Sequence, residues 1–540
     1  MNYCIKLFFF LLITTVAAQT TIEQKLDKIL STYNVENQPG LSVRVVKNNS
    51  VLYSKSFGIS NLDYGIKNSD STTYSIASIS KQFTAAAIWT LIEQGKLSLE
   101  DDIRKFFPQF PDYGNIIRVK HLLNHTSGIR GYHSLMYLSG FDYNSVYYDN
   151  KTVFNLACNQ QNLNNKPGEK VLYSNTGYNI LALLVEKISK TNLDVFLKTH
   201  ILKPLEMTQT FVRVSHGVTI KNKAIGYKKT KDGFIYNVTN QLSYGAGSMG
   251  SNVIDMTNWI NMLNGNVFKF KALAQFLKTQ ELLPNGTLAN YARGVMIDTY
   301  KGYNTVSHSG YGFGGQTQLI TIPEENLGVV IFTNLQSINP TPISYKILDE
   351  LLAEKEIETV TETESVITHN LNLFVGDYKE INSDMKMYIS IENDTLKAKG
   401  SIGKHKIPLV AFSNNNFFRA NSQSVKYDFT VTKDQDLVIS FGGTPFYFKR
   451  AKLIEKDALN INNFIGSFYS KELDVTYTFS ENNGKLILNY KNNKDIPLSV
   501  VQLNAFGNNN RTLYQFNNTK TKMFLSCDGV VSNIEFVKMK

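Results

Sequence analysis

The last third of the chain repeats itself. Phe374-Val375-Gly376-Asp377-Tyr378 recurs as Phe464-Ile465-Gly466-Ser467-Phe468, Ile407-Pro408-Leu409 recurs as Ile496-Pro497-Leu498, and Phe417 recurs as Phe506. The offsets are 90, 89 and 89 residues, so two copies of one unit are expected at 369–453 and 454–540. Both copies consist of short strand-like runs between Asn/Gly turns, which makes the unit all-β. Each is too long for a single propeller blade, and a closed antiparallel barrel of about eight short strands fits it better. The acidic, polar run from Glu354 to Glu364 precedes them. It reads as an interdomain linker spanning 354–368.

The remaining 20–353 has a different pattern. A helix from Ile22 to Tyr33 opens it. Leu41–Val46 and Val51–Gly58 then alternate as strands around an Asn48-Asn49 turn, a hairpin at one edge of a sheet. Helices and loops fill the middle. Strands return at Asn304–Gly310, Gln316–Ile322 and Leu327–Asn334, and a helix over Pro342–Leu352 closes the region. Strands at both ends with helices between predict an α+β domain whose antiparallel sheet is completed by both ends of the segment. A chain of 540 residues is too long for one core, in keeping with this division.

Residues 1–18 read as a signal peptide. Lys6 is the charged start, Leu7–Val16 is an apolar run too short to span a bilayer, and Val16-Ala17-Ala18 offers small residues for cleavage before Gln19. A periplasmic or secreted location follows, with no integral membrane span once the signal is removed. Beyond the signal only Cys158 and Cys527 remain, far apart, so no disulfide framework is suggested. Net charge is +11, but the lysines are scattered and no basic block alternates with aromatics. The charge reads as a solvated basic surface rather than a nucleic-acid face. His121 and His125 stand four apart without the glutamate of a zinc protease. They read as supports of their loop, and neither a metal nor a cofactor is expected.

Chemistry is expected at Tyr74–Thr84. Ser78 and Lys81 form a Ser-x-x-Lys where a helix begins, ahead of Ala85-Ala86-Ala87. Positions i and i+3 share one helix face, so hydroxyl and amine can touch. Apolar flanks imply that the lysine is buried, which lowers its pKa and suits it to act as the base for a serine nucleophile. Ser80 reads as an ordinary helix-face residue. Downstream, Tyr173-x-Asn175 offers a phenol to shuttle a proton and an amide to hold Lys81 and a substrate carbonyl. His308-Ser309-Gly310 lies on a predicted strand, whose backbone N–H can pair with that of Ser78 as a two-donor oxyanion hole.

In that order, these residues resemble the serine β-lactamase and penicillin-binding protein superfamily, most closely its class C-related branch of esterases, D,D-carboxypeptidases and D-aminopeptidases. Phe83-Thr84, the His121–Gly128 block, Pro167-Gly168, Tyr173–Tyr178, Lys203-Pro204-Leu205-x-Met207-Thr208-x-Thr210 and Gly245-x-Gly247 also match. The resemblance covers roughly 22–350, and the two β units resemble the lipocalin-like domains of D-aminopeptidase-type members. It implies Ser78 as acylated nucleophile, Lys81 as base, Tyr173 as proton-transfer aid, and the backbone of Ser78 and Tyr311 as oxyanion hole, with Asn175, His308, Gly310 and Tyr311 against the substrate. It also implies that the barrels border or cover the site and so restrict substrate size. Many members carry Lys-Thr-Gly where His308-Ser309-Gly310 stands here, and histidine is only partly charged near neutral pH. The expected activity is hydrolysis of small esters, amides or D-amino-acid peptides through an acyl-enzyme. A β-lactamase or D,D-carboxypeptidase, and a slow-turnover penicillin-binding sensor or scaffold, are the alternatives.

Overall fold

The computed structural model describes residues 21–142, 146–312, 314–353, 355, 370–401, 403, 405–420, 422–451, 459–508 and 511–540. The signal segment and all of the acidic linker except Lys355 lie outside the described residues.

The first region is built on a six-stranded antiparallel sheet. Its strands are β1 (Leu41–Lys47), β2 (Ser50–Phe57), β3 (Met296–Tyr300), β4 (Tyr303–Gly312), β5 (Gly315–Ile322) and β6 (Leu327–Thr333), in the spatial order β3-β4-β5-β6-β1-β2. The predicted hairpin is β1–β2, and it does form one edge. β1 pairs along its whole length with β6, Leu41 opposite Thr333, so the two ends of the region meet inside the sheet. The strand at the other edge, β3, was not legible in the sequence pattern. Its residues are all only partly buried and show no alternation.

Helices cover both faces. On β6, Val329 and Ile331 pack in one cluster with Leu26 and Leu30 of α1 (Ile22–Leu30) and Ile343 and Ile347 of the closing helix, Pro340–Leu351. Val330 and Phe332 point the other way, into the large central core. The period-two alternation of a strand thus serves two cores at once. The central core surrounds α2 (Ser80–Glu93), which is buried on nearly every side. Phe83 of α2 stacks on Trp259 with centroids 4.0 Å apart, and the Trp259 indole donates to Gln82 Oε1 at 2.6 Å. An apolar helix without a polar face belongs in such a position.

The repeats form two closed eight-stranded barrels, with strands from Gly376 to Arg450 and from Gly466 to Lys538. The sequence landmarks meet inside them. Phe374 packs edge-on to Phe417 at 5.3 Å in the first, and Phe464 packs on Phe506 at 4.9 Å in the second. Constant register in sequence thus reflects the same aromatic contact made twice.

Both barrels touch the first region. In the first barrel, Thr444 follows a Gly442-Gly443 turn and exchanges two hydrogen bonds with the backbone of Val171 (2.8 and 3.0 Å), while Gly442 O accepts from Asn290 N (3.3 Å). In the second, Tyr477 Oη donates to Leu138 O at 2.7 Å, and Glu472 forms a buried ion pair with Arg130.

Candidate active site

Ser78 lies one turn ahead of α2, in the short 3-10 turn Ala77–Ile79. Ala77 holds a positive φ of 46°, a left-handed conformation that non-glycine residues rarely adopt. The i to i+3 geometry survives this turn. Lys81 Nζ donates to Ser78 Oγ at 3.0 Å and to Ala246 O at 2.7 Å. The Lys81 side chain has no exposed surface, and burial alone pulls its amine well below the ordinary lysine range. A neutral amine next to a hydroxyl can accept its proton, which makes the serine oxygen a competent nucleophile.

Close approach is permitted by glycine. A Cβ on Gly310 would stand 2.2 Å from Thr317 Oγ1, 2.8 Å from Ile76 O and 2.9 Å from Ala77 Cβ. Only glycine therefore lets β4 lie against the Ser78 turn, and Thr317 Oγ1 donates to Ile76 O across the same contact. Gly245, with φ of 99°, has the same role behind Lys81, where a Cβ would fall 2.4 Å from Tyr178 O. That packing presents the Ala246 carbonyl to the lysine. β3 pairs with β4 only over Tyr303–Ser307, so His308–Gly312 has no partner strand on that side among the described residues.

Tyr173 and Asn175 flank the start of α3 (Asn175–Ser189). The Lys81 amine is 4.9 Å from the centroid of the Tyr173 ring. Burial pushes the Tyr173 phenol up, and the nearby Ser78 hydroxyl works against it. Tyr173 as a whole residue is nonetheless 39% exposed. Asn175 was expected to hold Lys81, but its Nδ2 pairs with His133 Nδ1 at 3.2 Å. The Ala246 carbonyl is the second partner of the lysine in its place. Asn175 Oδ1 is buried without a hydrogen-bond partner.

His308 is buried, with its Nε2 3.0 Å from Tyr291 Oη and its Nδ1 2.6 Å from Ser309 O. Burial first, then the nearby Lys81, lowers its pKa to about 3. The imidazole is neutral across the physiological range and turned onto Tyr291. The expectation of a partly charged histidine facing substrate is thus replaced by a neutral, internal one. His125 supports the loop as expected, with Nδ1 accepting from Ser174 N at 3.2 Å and its ring 4.2 Å from that of Tyr173. His121 Nδ1 accepts from Arg118 N at 3.2 Å, a helix-capping contact.

Ser78, Asn175 and Tyr311 line one cleft of about 350 Å³. His133, Tyr291 and Ala246 escaped sequence reasoning. Only the glycines around Ala246 carried a signal, because His133 and Tyr291 acquire their partners through folding. The first barrel bonds at Val171 and Asn290, near the segments that carry Tyr173 and Tyr291, and no barrel residue lines the cleft among the described residues.

This fold, with a serine hydroxyl against a desolvated lysine, defines a serine hydrolase of the β-lactamase-like type. The chain belongs to the Beta-lactamase family, whose model matches residues 22–353. It is similar to Protein flp of Staphylococcus aureus strain N315, at 29% identity over 63% of this chain and 68% of that protein. The fold is also that of the octameric penicillin-binding protein homologue from Pyrococcus abyssi (TM-score 0.54, 23% identity, 87% of this chain and 98% of that one). The D-amino acid amidase from Ochrobactrum anthropi SV3 shares it as well (TM-score 0.50, 19% identity, 61% of this chain and 98% of that one). No helix among the described residues is long and apolar enough to cross a membrane.

Proposed function

We propose that the protein is an exported serine hydrolase, periplasmic or secreted, that cleaves small esters, amides or D-amino-acid peptides through an acyl-enzyme. The observation that carries this reading is the Lys81 amine, fully buried and 3.0 Å from Ser78 Oγ. Lys81 takes the hydroxyl proton as Ser78 Oγ attacks the carbonyl carbon. The negative charge that develops on the carbonyl oxygen is met by the N–H groups of Ser78 and Tyr311. Tyr173, whose ring centroid is 4.9 Å from the Lys81 amine, gives its phenol proton to the leaving group and recovers one from Lys81. Water then attacks the acyl-serine by the reverse proton path. Asn175, with an unpartnered Oδ1 beside the cleft, receives a donor of the substrate. His308 holds Tyr291 and β4 in place, and so acts as a positioning residue. Residues 20–353 form the hydrolase domain and the two barrels its appendages.

The test is kinetic. Ser78→Ala should abolish labelling by a fluorophosphonate or penicillin probe and remove nitrophenyl-ester turnover. Undiminished turnover in that variant would overturn the mechanism.

A further inference from the structure

The cleft holding Ser78 contains charge that the acylation chemistry does not use. Arg213, His216 and Lys223 line it, and none of its lining residues is an aspartate or glutamate. Neither Arg213 nor Lys223 has an ion pair among the described residues. Arg213 Nη2 meets only His216 Nδ1 (2.8 Å) and the Gln241 carbonyl (3.2 Å), and its Nε is buried without a partner. Like charges gathered on one wall are unfavourable, and a half-buried guanidinium without a carboxylate is an uncommon way to spend an arginine. Burial lowers both cations, and Arg213 lowers Lys223 further.

The backbone segments that carry these cations are fixed relative to the nucleophile, while the Lys223 side chain is exposed. Arg213 N donates to Ser248 O at 2.8 Å, just beyond a three-stranded sheet that pairs Phe211 with Gly250 and Gly250 with Ser75. Lys223 bridges Thr73 in parallel, and Ala224 N donates to Thr73 O at 2.9 Å. Both are therefore tied by backbone hydrogen bonds to residues 73–75, which lead directly into Ser78. Apolar Val218 and Val238 stand exposed on the rim beside them.

From this we propose that Arg213 and Lys223 form an oxyanion subsite, remote from the scissile bond, that selects substrates carrying a carboxylate or phosphate group next to an apolar portion. The inference rests on the hydrolase reading above and adds the substrate class to it. The guanidinium fork suits a planar or tetrahedral oxyanion, and the lysine adds a point charge. Positive charge in this cleft thus stands at 213 and 223, not at the buried position 308.

The experiment uses the full chain and matched nitrophenyl esters ending in a methyl, carboxylate or phosphonate group. At low salt the wild type should show kcat/KM at least about tenfold higher for an anionic ester than for the neutral one, and the preference should shrink as ionic strength rises. Arg213→Gln and Lys223→Gln should each lower that ratio several-fold through KM, and Lys223→Glu should reverse it toward a cationic ester. The better of the two anionic esters names the oxyanion. A ratio near one in the wild type, or one unchanged in all three variants, would overturn the subsite. Calorimetric titration of Ser78→Ala with benzoate, phenylphosphonate and benzyl alcohol decides the same point without turnover. Should no ester be hydrolysed, or hydrolysis survive Ser78→Ala, the hydrolase reading fails. The subsite then stands if the anions bind and Arg213→Gln removes that binding, and falls if they do not bind.

Discussion

Arg130 and Glu472 lie 342 residues apart in sequence and form an ion pair with side chains 0% and 3% exposed. The same arginine donates from Nη2 to Ser532 O, and its own carbonyl accepts from Thr176 Oγ1 at 2.8 Å. Thr176 follows Asn175, so the second barrel is linked through Arg130 to the start of α3. Removing one partner of a buried pair strands the other charge, at a cost of about 3–5 kcal/mol. Glu472→Ala should therefore lower the thermal midpoint markedly, whereas Arg130→Met with Glu472→Leu should recover most of the loss. Calorimetry on the three variants checks this. Equal midpoints for wild type and Glu472→Ala would refute it.

The pH dependence of hydrolysis should report Lys81. Its amine is held well below the ordinary lysine value by burial, and only the neutral form accepts the serine proton. Activity should therefore fall on the acid side as the amine protonates, and hold as pH rises. Arginine does not deprotonate, so Lys81→Arg should lose about 10²–10⁴-fold in kcat at every pH. His308, at about 3, should not set the acid limb, and His308→Asn should leave its midpoint where it was. A shifted limb in that variant would assign the titration to the histidine instead.

Gly310→Ala tests the close approach of β4 to the nucleophile. The added methyl collides with Thr317 Oγ1, Ile76 O and Ala77 Cβ, the last in the turn that carries Ser78 and Ile76 immediately before it. Overpacking of this kind costs about 1–3 kcal/mol. The fluorophosphonate labelling rate should fall far more than the thermal midpoint, because the strain acts on the turn itself. An unchanged labelling rate would show that this approach has no part in catalysis.

Acid should destabilise the fold through its buried histidines. Burial lowers His133 to about 4 and His308 to about 3, from an ordinary 6.5. Above about 6.5 these groups are neutral whether folded or not, and the fold has its full stability. Below it the unfolded chain takes up protons that the folded chain refuses, so stability drops as pH falls from about 6.5 toward 3. Thermal midpoints between pH 7 and 4 should decline, and less steeply in His308→Asn. Parallel declines in the two proteins would remove His308 from the account.

What could be read from sequence depended on whether function required a local pattern. Ser78 and Lys81 sit three apart because one turn must bring them together, and Phe374 and Phe464 recur because each barrel needs that contact. Arg130 with Glu472, and Arg213 with Lys223, have no such spacing. Their partners are chosen by the tertiary fold, so each looks in sequence like an ordinary charged residue. Asn175 lines the cleft, but its pairing with His133 follows no spacing rule that the sequence displays. The histidine at 308 was legible as a departure from lysine, but its burial against Tyr291 was not.

The meeting of both ends of the first region within one sheet also sets how much chain must be in place before that sheet is complete. Gly40 N donates to Asn334 Oδ1 across 294 residues of chain, and β1 has β6 as its inner neighbour along its full length. Without β6 the amino-terminal hairpin therefore lacks its inner neighbour. Long-range pairing of this kind is slow, because the loop must close before its contacts repay it. The nucleophile turn, which packs against β4, cannot take its final form from the amino end alone. The site of the hydrolase region therefore depends on contacts between both ends of that region, and both barrels pack on the region those contacts complete.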